Sequence, residues 1–180
     1  MLNIEIKILS VNELNDFRTI RLSALEKSPR IFGSTYVAEV AKPPIFFENC
    51  LSSSTVFGAY HKNKIIGLAT FTQETGIKFS HKAYLSSVFI EPEFREKGIA
   101  SQLLREVMEY SKKYVEQILL TVADDNKPAI NFYKNFGFQA YGLEPMALKD
   151  NEEYINEILM KLFVYSTFIV FISQYLNMPL

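Results

Sequence analysis

The sequence predicts an α/β (α+β) fold, a mixed central sheet flanked by helices in the order βααβββαβαβ. Three observations predict it. An alternating apolar stretch opens the chain, a meander of short apolar runs occupies the middle, and two helical stretches then alternate with apolar strands. With 180 residues, 48% apolar and 22% charged, the chain has the composition of an ordinary globular protein with a sizeable core. Residues 1–163 are read as one domain, and 164–180 as an apolar C-terminal extension.

Ile4, Ile6 and Ile8 alternate with polar residues, the period of a half-buried strand. This charged, alternating start is not a signal peptide. Ser10 and Glu13 stand at capping-box spacing, each able to satisfy a backbone N–H at a helix start. Leu14, Phe17, Arg21 and Leu25 follow at helical spacing, and Pro29 ends the run. Residues 31–51 are less regular and read as one or two short helices broken at Pro43 and Pro44.

Thr55 to Tyr60 reads as a strand, His61 to Lys64 as a polar turn, and Ile65 to Thr72 as its partner. Ala83 to Ile90 is a further strand. A helix is predicted from Ile99 to Lys113, with Leu103, Leu104, Val107 and Met108 on one face. Ile118 to Val122 is a short apolar strand. Asn126 to Phe136 is a helix with Pro128 in its first turn and Gly137 just past its end, as helix termini prefer. Strands near Phe138 to Tyr141 and Ile155 to Phe163 close the domain.

A formal charge of -1 argues against a dedicated nucleic-acid binder, which needs a basic face. Fifteen Phe and ten Tyr suggest an aromatic-rich interior and name no ligand. The single cysteine, Cys50, cannot form an intramolecular disulfide and fits a reducing compartment, so a cytoplasmic location is expected. A packing role is expected of it, since free Cys behaves as a small apolar side chain. Leu162 to Leu176 is unusually apolar. It is shorter than the roughly 20 residues of a membrane span and carries Ser166, Thr167, Ser173 and Gln174. A buried terminal element or a homodimer contact is the expected role, and membrane attachment the alternative.

The informative stretch is V-F-I-E-P-E-F-R-E-K-G-I-A, Val88 to Ala100. An apolar strand stops at Pro92, a basic turn follows, and Gly98 opens a long helix. Such a junction aims free backbone N–H groups and the positive end of a helix dipole at one point, which suits a pyrophosphate. Small residues at Gly98 and Ala100 keep bulk away from an approaching anion, and Arg95 and Lys97 add positive charge. The spacing is neither G-x-G-x-x-G nor a P-loop.

Here the chain resembles the GNAT acetyltransferase family, whose coenzyme A signature is [QR]-x-x-G-x-[GA] after a strand ending near a proline. The segment N-K-P-A-I-N-F-Y-K-N-F-G-F, Asn126 to Phe138, resembles the family's second coenzyme-binding segment. The resemblance runs in order of elements from about Ile4 to Phe163. It implies the GNAT acyl-CoA N-acyltransferase fold, acetyl-CoA as co-substrate without a metal, and acetyl transfer to an amine. It further implies that Val88, Phe89 and Ile90 face the pantetheine arm through their backbone. By the same resemblance, Glu96, Lys97, Gly98, Ile99, Ala100 and Ser101 supply pyrophosphate N–H groups. Asn126 would hydrogen-bond the cofactor arm, and could also cap its helix.

Tyr133 is implied to sit near the thioester sulfur as the acid. A thiol has a pKa of about 8.5 and a tyrosine about 10, so proton donation to the departing thiolate is nearly balanced. A backbone N–H near Phe89 or Ile90 would stabilise the oxyanion. Some family members place a Glu base on the strand before the Asn segment, but this chain has Thr121 there. Glu144, in Y-G-L-E-P on a late loop, is the first candidate base. Glu91, His81, Asp124 and an ordered water are the others. The alternative to catalysis is an acyl-CoA binding or sensing module. The amine acceptor, small molecule or peptide, is not legible.

Overall fold

The computed structural model describes residues 2–164. Seven strands form one sheet in the order β1-β2-β3-β4-β5-β7-β6. Every neighbouring pair is antiparallel except β4 with β5. The apolar extension, apart from Val164, lies outside the described residues.

β1 (Glu5–Ile8) is an edge strand. Ile4 and Ile6 pack on the core, whereas Ile8 is exposed and Leu9 turns inward instead. The Ser10–Glu13 cap forms as the spacing predicts. Ser10 N donates to Glu13 Oε2 at 2.9 Å, and Asn12 N donates to Ser10 Oγ at 3.2 Å. This cap opens a short 3-10 turn that runs into α1 (Leu14–Lys27). Two short helices follow, α2 (Tyr36–Val40) and α3 (Pro44–Ser53), with Pro44 in the first turn of the second.

β2 (Thr55–His61) and β3 (Lys64–Gln73) form a hairpin. Its turn residues Lys62 and Asn63 both have positive φ, 48° and 62°, the conformation that matches strand twist in two-residue turns. Both faces of these strands are covered, so alternate residues enter two cores. Phe57 and Phe71 join the cluster under α4 (Ile99–Ser111), with Leu103, Leu104 and Val107. Val56 and Leu68 join the cluster under α1 and α3, with Phe17, Ile20 and Phe47.

β4 spans Lys82–Ile90 and β5 Gln117–Ala123; α5 (Lys127–Asn135) follows. At Gly67 of β3 an added Cβ would stand 2.5 Å from Ile90 Cδ1 and 2.9 Å from the Phe89 carbonyl. Glycine therefore lets β3 approach the end of β4. The structure has one helix and one strand more than the order βααβββαβαβ: the segment after α1 forms two helices, α2 and α3, and the two closing stretches form two separate strands, the first longer than its apolar residues suggest. β6 runs Gln139–Asp150 and β7 Glu153–Phe163. Pro145 does not end β6, since an edge strand tolerates a missing donor. The register shifts around Pro145, where Met146 takes a φ of 55°.

Candidate functional site

β4 and β5 pair over three residues only, ending at Tyr84 opposite Leu119. Past that rung β4 continues to Ile90 and β5 to Ala123 without bonding each other. Between them opens a cleft of about 90 Å³, lined by Leu85 to Val88, Thr121 to Ala123, Asn126, Ala129, Tyr133 and Glu157. On its other edge β4 carries one more residue than β3, since Leu68 pairs with Phe89 but Thr70 with Ser86. The surplus is a β-bulge, and Ser87 within it has a φ of 54°.

β4 leads through a short turn into α4. Gly98 stands at the start of that helix with a φ of 77°, a left-handed conformation that costs other residues roughly 1–2 kcal/mol. A Cβ built on Gly98 would meet nothing within 4 Å among the described residues, which leave the space above this turn open. No side chain among the described residues caps the helix. Gln102 N donates to Gly98 O at 3.1 Å and starts the helical ladder, which leaves the N–H groups of Ile99, Ala100 and Ser101 ahead of it. The Ile99 side chain is buried in the core and anchors the turn.

The basic residues of the turn are engaged within the protein. Arg95 Nε donates to the Ile90 carbonyl at 3.0 Å, and its guanidinium lies 5.6 Å from the Phe89 ring. Lys97 Nζ donates to the Glu93 carbonyl at 2.6 Å. Glu96 is exposed with a φ of 61°. Of the β4 residues assigned to the arm, Val88 lines the cleft, while the Phe89 and Ile90 side chains are buried and can offer only backbone.

Asn126 caps α5, its Oδ1 accepting from Ala129 N at 3.2 Å. Its Nδ2 has no partner among the described residues, and Asn126 lines the cleft. Tyr133 packs its ring edge-on to Phe132 and Phe138, at 5.3 and 5.6 Å between centroids. Its hydroxyl has no hydrogen-bond partner among the described residues, and burial pushes its phenol well above the usual range.

Glu144 lies on strand β6, not on a loop, and is exposed. It does not line the cleft. Its cross-strand partner Glu157 does, and Glu157 carries no ion pair among the described residues. Nothing local marks Glu157; only the pairing of β7 with β5, Glu157 opposite Ala123, brings it there. Glu91 is buried and committed, accepting from Ser23 Oγ at 2.7 Å and Lys27 Nζ at 2.6 Å. Asp124 accepts from Asn156 Nδ2 at 3.1 Å. His81 offers its backbone carbonyl to Glu116 N. Cys50 is half-buried in the second core, and burial raises its thiol.

The sequence profile of the acetyltransferase (GNAT) family matches residues 22–138, which include the glycine turn, the cleft strands and α5. The chain belongs to this family. An L-amino acid N-acetyltransferase of Escherichia coli, AaaT, is 32% identical over 98 residues, 53% of this chain and 60% of that protein. This GNAT chain thus spans less than two thirds of that relative's length. The N-alpha-acetyltransferase RimI of Mycobacterium tuberculosis is 27% identical over 60% of this chain and 68% of its own. Among solved structures, the yncA protein of Salmonella typhimurium, determined with its cofactor acetyl-CoA, superposes with a TM-score of 0.76 at 15% identity. That match covers 89% of this chain and 94% of that one. At such identity the likeness is one of GNAT fold. Among the described residues no helix is long and apolar enough to cross a membrane.

Proposed function

We propose that this chain transfers the acetyl group of acetyl-CoA to a primary amine by direct attack in a ternary complex. The observation that carries the reading is the parting of β4 from β5 after Tyr84 on the strand that leads into the uncapped start of α4. The residues present fit such a co-substrate. The β4 edge facing β5 has backbone groups outside any ladder with that strand, and the turn at Gly98 has open space where a Cβ would stand. When bound, acetyl-CoA supplies an activated thioester carbonyl and a thiol leaving group.

The N–H groups of Ile99, Ala100 and Ser101, with Glu96, Lys97 and Gly98 of the preceding turn, hold the diphosphate through the main chain. Arg95 braces the turn, since its bonds go to Ile90 and Ser28. Val88, Phe89 and Ile90 lay their backbone along the arm, and Asn126 donates its free Nδ2. Glu157, half-buried on the cleft wall, takes a proton from the incoming ammonium, a role for which exposed Glu144 is less well situated. Tyr133 then gives its proton to the sulfur as the carbon–sulfur bond breaks, and the phenolate is restored by the second proton leaving the attacking nitrogen. Burial raises the tyrosine, and a thiolate in the same cleft also loses hydration, so the proton affinities of donor and acceptor move in the same direction.

A hydroxyl and a carboxylate on one cleft favour turnover over the sensing alternative. The acceptor is an amine on a small molecule or a peptide; the relatives named for L-amino acids and for N-alpha-acetylation support an α-amino group. Calorimetric titration with acetyl-CoA, followed by thiol release across amino acids, polyamines and peptides, tests the reading. Binding that Gly98→Val abolishes, together with thiol release for one amine class, is expected. A folded protein that gives no heat with millimolar acetyl-CoA refutes it.

A further inference from the structure

Arg21 lies on the buried face of α1, between Phe17 and Leu25 in the helical stripe. Its guanidinium forks onto Glu39 of α2, Nε to Oε2 at 2.9 Å and Nη2 to Oε1 at 2.6 Å. The third nitrogen, Nη1, donates to Ser87 Oγ at 3.0 Å. The Phe32 ring lies 5.3 Å from the guanidinium, and Glu39 is only 4% exposed. A bidentate pair of this kind holds the fork in one orientation.

Ser87 is the residue that needs holding. A serine at a φ of 54° is in a sparsely populated region that persists only where its surroundings over-determine it. It sits three residues past Tyr84, the last β4 residue paired with β5. A cavity of about 220 Å³ on the α1 and α3 side shares Ser86 and Ser87 with the cleft, and Arg21 and Glu39 line it. Ser86 and Ser87 therefore form part of the wall between the two spaces, and the ion pair lines the larger one behind them.

We infer that Arg21 is a positioning residue: clamped by Glu39, it fixes the left-handed conformation of Ser87 and so the separation of β4 from β5. Only the clamp's consequence for catalysis rests on the acetyl-transfer reading. Because Glu39 comes from α2, the segment between α1 and α3 is tied directly to the strand that borders the cleft. A shift of α2 would be transmitted to Ser87 through one guanidinium.

A double-mutant cycle tests this, with backbone chemical shifts reporting φ at residue 87 in the unliganded protein and kcat read at saturating acetyl-CoA. Arg21→Gln moves Ser87 toward extended backbone and lowers kcat about tenfold, with less than a threefold change in KM for acetyl-CoA. In a Ser87→Gly background, where glycine takes positive φ freely, the same substitution lowers kcat less than threefold. Should Arg21→Gln not fold, Arg21→Lys keeps the charge, loses the fork, and carries the same test. Unchanged Ser87 shifts in a folded variant overturn the inference, as does an equal kcat loss in both backgrounds. A native chain that releases no thiol, with Ser87 still responding to Arg21, refutes the acetyl-transfer reading and leaves the clamp standing.

Discussion

Glu157 stands directly across from Ala123 of β5 on one side and from Glu144 of β6 on the other. Paired residues share a sheet face, so the two carboxylates are neighbours, one on the cleft wall and one exposed at the sheet edge. Like charges in that register are unfavourable, which makes the pairing a cost the fold carries.

The two carboxylates separate by substitution. Glu157→Gln is expected to lower kcat by a factor of about 10² with an amine acceptor, the lower end for a general base. Glu144→Gln should remain within about twofold. Steady-state thiol release measures both, and the reverse ranking would return the base to Glu144.

Tyr133→Phe removes one hydroxyl and keeps the ring against Phe132 and Phe138. Its thermal midpoint should stay close to that of the native chain, while kcat falls about 10²-fold with little change in acetyl-CoA affinity. A Phe variant turning over at the native rate would leave Tyr133 as packing alone.

Asn126 has two jobs that different variants isolate. Asn126→Ala loses the bond from Ala129 N and should cost about 1 kcal/mol of stability. Asn126→Asp keeps the cap and loses the Nδ2 donor. Urea denaturation should find the Asp variant as stable as the native chain. Calorimetry should find its acetyl-CoA affinity reduced up to about tenfold, the worth of one net hydrogen bond. Equal affinity in native and Asp chains would confine Asn126 to capping.

Acid should loosen the Arg21–Glu39 clamp. Burial pushes the Glu39 carboxyl up, but hydrogen bonds from Arg21 and then Ser34 outweigh it and hold the group below its ordinary 4.5. A carboxyl whose folded pKa lies below its unfolded value contributes stability that is complete above the unfolded value. That contribution is lost as pH falls through the folded value. Stability should therefore drop below about pH 4.5. Glu39→Gln, which leaves a half-buried guanidinium without its anion, should cost about 3 kcal/mol at neutral pH, the lower end for a buried pair, and flatten that acid slope. An unchanged slope would assign the acid sensitivity to another group.

Much of the fold was legible along the chain because its signals are local. The Ser10–Glu13 cap, the apolar stripe of α4, Pro128 and Gly137 around α5, and the polar turn at 61–64 each depend on residues a few places apart. The same holds for the glycine turn and the Asn126–Phe138 segment, whose family pattern lies in consecutive residues. β6 was less legible: only Phe138 to Tyr141 reads as strand and Glu144 as loop, whereas its place at the sheet edge lets the strand continue past Pro145 through a bulge.

The roles of charged residues lay beyond that reading. Arg95 and Lys97 count as free cations in a string, yet each spends itself on a nearby carbonyl. Arg21 stands at helical spacing with Phe17 and Leu25, but nothing in the order of residues joins position 21 to positions 39 and 87. Periodicity and motif spacing describe neighbours in sequence, and they marked most of the order of elements and the glycine turn. Which carboxylate reaches the cleft, and which side chain holds the bulge, follow from strand register and helix docking. Those bring together groups that lie 18 to 66 positions apart in the chain, and no local pattern encodes such contacts.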